Sequence, residues 1–192
     1  ARLSLMQGDL ESAVRWLDTT DLTMDPGVMF YWLEVPHITQ CRILIAQGSE
    51  TSLREAGEKL TIYEKTNKVQ NNTRQLIDIL LLQSLAYLKQ SQSDQALAAL
   101  ARAITLAEPG GFIRPFLDLG PEMAGLLVRL SQKGVTSAYI ARILAVFPDK
   151  MKDERSPQVA DGGDFSMTTS TLEQGPTPSL VEPLTPRELD VL

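Results

Sequence analysis

The chain has 192 residues, 43% hydrophobic and 22% charged, which allows one globular domain and something further, and it carries a net charge of −6. The acidic excess is concentrated, because from Asp149 onward four basic residues face nine acidic ones, leaving residues 1–148 at −1. Neither part offers the basic surface that a nucleic-acid backbone requires, and the single cysteine, Cys41, excludes an internal disulfide, which fits a reducing compartment.

The first residues, Ala1 to Gln7, are already in a helical apolar rhythm without an initiating Met, so the chain is expected to be a piece of a longer protein. Leu5-Met6-Gln7-Gly8-Asp9-Leu10 then ends one apolar helix with a Gln, a small residue and polar residues before the next. The same pattern returns at Ile45-Ala46-Gln47-Gly48-Ser49-Glu50, at Leu88-Lys89-Gln90-Ser91-Gln92-Ser93 and at Leu130-Ser131-Gln132-Lys133-Gly134-Val135, about every 40 to 43 residues. That is the period of a two-helix repeat. A Gly or Ser at each junction suits the left-handed residue that closes a helix, and Asp94 or Thr136 can cap the helix that follows.

The second unit opens on Phe30-Tyr31-Trp32, read as core aromatics rather than a stacking platform. His37 and Cys41 stand four apart on a helix and could face one metal, but they are the sole His and Cys, and a closed zinc site takes four ligands. No metal site is expected. The same scarcity removes Cys-His and Ser-His catalysis, and no catalytic constellation replaces them, so the chain is not expected to be an enzyme.

In the third unit, Asn72 to Gln90 is apolar on much of its circumference, as in a helix packed between neighbours. Asp78 and Gln83 interrupt its apolar run, which is also too short to span a bilayer. The helix Asp94 to Ala107 has Leu97, Leu100, Ile104 and Ala107 on one face, with Ala96 and Ala103 small enough for close approach. Glu108-Pro109-Gly110-Gly111 stops it and has no Lys-Ser partner that would make it a phosphate loop. A bridge from Phe112 to Met123 leads to a fourth pair, about Met123 to Lys133 and Thr136 to Phe147, ended by Pro148. Asp118 and Glu122 in that bridge could pair as carboxylates, but at a helix entrance acids are favoured by the dipole and by capping.

Residues 149–183 lose all periodicity and read as a flexible acidic linker. Beyond it Thr185, Pro186 and Glu188 have the order of a helix N-cap, N1 and capping-box acid, and Leu189, Val191 and Leu192 begin an apolar face. The expected fold is all-α over residues 1–148. Gly8-Asp9-Leu10 with Ala13, and Ser84, Tyr87, Ala96 and Ala103, resemble the tetratricopeptide repeat at its small and aromatic positions. Stacked helix pairs of that kind would form a curved superhelical array with a concave face.

Four passages carry a more specific resemblance: Gln7 to Leu17 (QGDLESAVRWL), Ile79 to Ala86 (ILLLQSLA), Ala107 to Met123 (AEPGGFIRPFLDLGPEM) and Leu184 to Leu192 (LTPRELDVL). In this order, around a polar linker, they resemble the large ATP-dependent LuxR-type transcription regulators of the MalT kind. Pro115 and the pair Leu119-Gly120 depart from that pattern within the bridge. The resemblance implies a helical-repeat sensor at residues 1–148, a linker at 149–183, and at 184–192 the start of a LuxR-type helix-turn-helix. It also implies ATP at an upstream domain, with no cofactor in this segment, DNA contact only through the domain beyond Leu192, a cytoplasmic location and possible self-association. A small-molecule inducer or a regulatory protein would sit on the concave face. By register with the junctions, Arg42, Asp78 and Lys89 fall near that face and are the candidate binding residues. A helical-repeat adaptor without a transcription role is the alternative reading.

Overall fold

A computed structural model describes residues 1–20, 36–134 and 138–148. The aromatic triplet at 30–32, Thr136, the acidic linker and the segment from Leu184 lie outside the described residues.

Every regular element among the described residues is a helix. They are α1 (Arg2–Met6), α2 (Leu10–Thr19), α3 (Pro36–Gln47), α4 (Glu50–Val69), α5 (Thr73–Lys89), α6 (Ser93–Ala107), α7 (Arg114–Leu117), α8 (Gly120–Gln132) and α9 (Ala138–Val146), with a 3-10 turn at Glu108–Gly110. The junctions have the expected chemistry. Gly8, Gly48, Ser91 and Gly134 all take positive φ, between 62° and 91°, at intervals of 40, 43 and 43 residues. Such a residue reverses the chain in the least length, and the turn is sealed by six-to-one hydrogen bonds such as Asp9 N to Ser4 O (2.8 Å) and Gln92 N to Tyr87 O (2.9 Å). The next residue often caps the following helix: Asp9 accepts from Ser12 N at 3.0 Å and Ser49 Oγ from Ser52 N at 3.1 Å.

One cap differs from expectation. Asp94 does not cap α6, because Ser91 takes the left-handed conformation and the chain enters the helix already at Gln92 and Ser93. Asp94 thus lies inside the first turn, near the positive dipole end, and accepts from Nζ of Lys133, the residue that closes α8, at 2.7 Å. The fourth unit also starts earlier than Met123. Gly120, with φ 71°, turns the chain so that Pro121 falls in the first turn of α8, where its missing N–H costs no bond. The bridge contains a helix of its own, α7, and Pro115 is tolerated there for the same reason, with Phe116 beside it fully buried.

The packing follows a stacking rule. Within a unit α1 meets α2, α3 meets α4, and α5 meets α6. Between units each first helix lies against both helices of the preceding pair: α3 on α1 and α2, α5 on α3 and α4. In the fourth unit that place is divided, with α7 against α5 and α8 against α6. A helix so enclosed must be apolar nearly all round. In α5, Ile77, Ile79, Leu80, Leu81 and Leu82 are essentially without solvent exposure, and they join Leu60, Leu100, Phe116 and Leu126 in one continuous core. The fourth unit is tied down by a polar contact as well, since Tyr139 of α9 donates its hydroxyl to Phe112 O at 2.7 Å.

Candidate functional site

Because the first helices stack side by side, they form one face, and a cavity of about 350 Å³ opens on it. Its apolar floor comes from Leu5 of α1, Ile45 and Ala46 of α3, and Leu82 and Leu85 of α5, with Leu119 closing one side. Charged side chains line it as well, the basic Arg2, Arg42 and Lys89 and the acidic Asp118 and Glu122. The volume falls in the range of small-ligand sites, and an apolar floor with a few convergent polar groups is their usual make-up.

Two ion pairs bind the cavity's walls together. Arg2 Nη2 lies 2.6 Å from Asp118 Oδ2, joining residues 116 apart in sequence. Asp118 is held a second time, by Arg114 Nε at 2.5 Å, and its side chain is only 10% exposed. Lys89 Nζ at the end of α5 lies 3.0 Å from Glu122 Oε1 of α8. The acids in the bridge are therefore not a carboxylate pair. Each serves a different cation from another element, a contact that helix-entrance chemistry alone does not foretell.

Of the three candidate binding residues, the structure brings Arg42 and Lys89 into this cavity. Asp78 lies on the same stripe of α5 as Leu82, Leu85 and Lys89, but one turn beyond the cavity. It accepts from Arg74 Nη1 at 2.7 Å, and that guanidinium also lies 5.9 Å from the centroid of the Phe112 ring. Register places Asp78 on the same stripe as Lys89 but says nothing of where along that stripe the cavity ends. Arg2 escaped sequence reading because its only sequence signal is a position on a short helix.

On α3, His37 is half-buried and Cys41 is fully buried. The His37 ring meets Tyr63 edge-on, with centroids 5.8 Å apart. Cys41 is buried in the core, and burial pushes its thiol up to about 12, so it stays protonated at neutral pH. Among the described residues no group of three or more His, Cys, Asp or Glu is placed to hold a metal ion.

A second cleft, of about 370 Å³, lies where α4, α5 and α6 meet. Glu64 dominates it. Its carboxylate accepts from Gln83 Nε2 at 2.9 Å, from Lys68 Nζ at 2.7 Å and from Arg102. Burial raises the affinity of Glu64 for a proton, but these three donors outweigh it and hold the carboxyl at about 2. A carboxylate saturated in this way is a structural tie between three helices rather than a reactive group.

No helix among the described residues is long and apolar enough to cross a membrane. The family model of the MalT-like TPR region matches residues 1–133, which spans α1 through α8 and both clefts. Neither the curated proteins nor the solved structures include a significant match.

Proposed function

The chain belongs to the MalT-like TPR family, and from that premise we propose that it is the signal-sensing, partner-binding segment of a MalT-like LuxR-family transcription regulator. The observation that carries this reading is the cavity of α1, α3 and α5, with Arg42 and Lys89 beside an apolar floor. An inducer or a regulatory protein that fits this cavity better in the active than in the resting arrangement shifts the whole protein toward the active one. The ion pairs Arg2–Asp118 and Lys89–Glu122 give such a ligand something to work on, because both link separate helical units across the cavity.

The effect is transmitted to DNA through a LuxR-type helix-turn-helix, whose opening the segment Leu184 to Leu192 resembles, and ATP binds at a domain upstream. The compartment is the cytoplasm. No catalysis is assigned to residues 1–148, and no cofactor is assigned to them.

The test is inducer-dependent transcription by the full-length regulator carrying Arg42→Ala, Lys89→Ala or Asp78→Ala. Loss of response in the first two with helicity intact is the expected result, with a smaller effect for Asp78→Ala, which stands outside the cavity. A full response in all three removes the sensor reading and leaves a helical-repeat adaptor.

A further inference from the structure

We infer that the ion pair Arg2–Asp118 is a latch that holds the cavity on α1, α3 and α5 at its present width by joining the two ends of its wall. The latch follows from the packing and holds whether or not an inducer uses the cavity. The wall is a row of helices in which each touches the next: α1 lies on α3, α3 on α5, and α5 on α7. In such a row every interface fixes the angle between neighbours, and small changes at successive interfaces add up at the ends. Neighbour packing therefore leaves the separation of α1 from α7 the most loosely fixed dimension of the cavity.

Arg2 and Asp118 act on that dimension. Arg2 begins α1 and Asp118 closes α7, and their contact, Nη2 to Oδ2 at 2.6 Å, turns the row into a ring around the cavity that both residues line. The site favours the pair. Asp118 is nearly buried, so its attraction for a cation is screened less than on an open surface. Arg114, on the same helix as the carboxylate it serves, holds the other oxygen at 2.5 Å and so aims Oδ2 at α1. An occupant that fits within about 350 Å³ leaves the ring intact, whereas a larger one needs a wider ring and must break this contact.

The experiment is a distance measurement by double electron–electron resonance on the full chain, with spin labels on Leu3→Cys in α1 and Arg129→Cys in α8. Both positions are exposed, and the native Cys41 is buried and takes no label. Arg2→Gln and Asp118→Asn are each expected to add a longer distance and to lower the closed-to-open ratio by about tenfold, the worth of one charge-assisted contact. Arg2 engages a further group and Asp118 a second cation, so combining the two changes isolates the pair itself. The double variant is expected to match the single ones, because both remove the same contact. Arg114→Gln, which leaves the link to α1 in place, is expected to keep the wild-type distance. Unchanged distances in both single variants overturn the latch. A double variant lowered by about a hundredfold also overturns it, since that is the product of two independent local effects. So does a loss in Arg114→Gln as large as in Asp118→Asn, which traces the widening to the bridge rather than to its link with α1.

Discussion

Replacing Glu64 by Gln keeps the shape of the side chain and removes its charge from the junction of α4, α5 and α6. In the folded chain the carboxyl is held at about 2 against an ordinary 4.5, despite burial that pushes the other way, by hydrogen bonds from Lys68, Arg102 and Gln83. At 1.36 kcal/mol per pKa unit that difference is worth at most about 3 kcal/mol. Lys68 and Arg102 are about half-exposed, so screening reduces the contribution to about 2 kcal/mol. Because the folded value is the lower one, the stabilisation is complete above about pH 4.5 and is lost as the pH falls through about 2. Urea unfolding followed by circular dichroism, on wild type and Glu64→Gln, measures it as a difference. The variant is expected to be less stable by about 2 kcal/mol at pH 7, with more than half of that difference gone near pH 3. A difference that is the same at pH 7 and pH 3 would refute the assignment, since a lost packing contact does not titrate.

Two other perturbations bear on the fold. Ser91 takes φ 62° at a junction where Gly8, Gly48 and Gly134 do the same work, so Ser91→Gly relieves left-handed strain and is expected to raise stability by about 0.5–1 kcal/mol in thermal unfolding. Phe116 is fully buried in the bridge and meets the Tyr139 ring edge-on at 6.3 Å, so Phe116→Ala is expected to cost about 3–5 kcal/mol in urea unfolding.

Local chemistry settled much of the fold before any tertiary contact entered. The period of the junctions, the residue type at each left-handed position and the near-continuous apolar surface of α5 are properties of short segments, and each set one structural outcome: unit length, turn geometry, and a helix enclosed by neighbours. Boundaries were less secure where two signals competed. At α6 the expected cap Asp94 lost to a left-handed turn completed two residues earlier, and at α8 Gly120-Pro121 started the helix before its apolar face began.

The sequence by itself determined the helix pairs, their stacking period and the stripe on which Arg42, Asp78 and Lys89 lie. These follow from hydrophobic periodicity and turn stereochemistry, which act over a few residues. Only the tertiary structure decided which charges share a cavity. Arg2 meets Asp118 across 116 positions, Lys89 meets Glu122 across 33, and Asp78 is taken up by Arg74 on its own helix. Charge pairing depends on distances of a few ångströms between side chains, and in a stacked array those distances are set by how successive units dock, a sum of packing contacts that no short stretch of sequence contains.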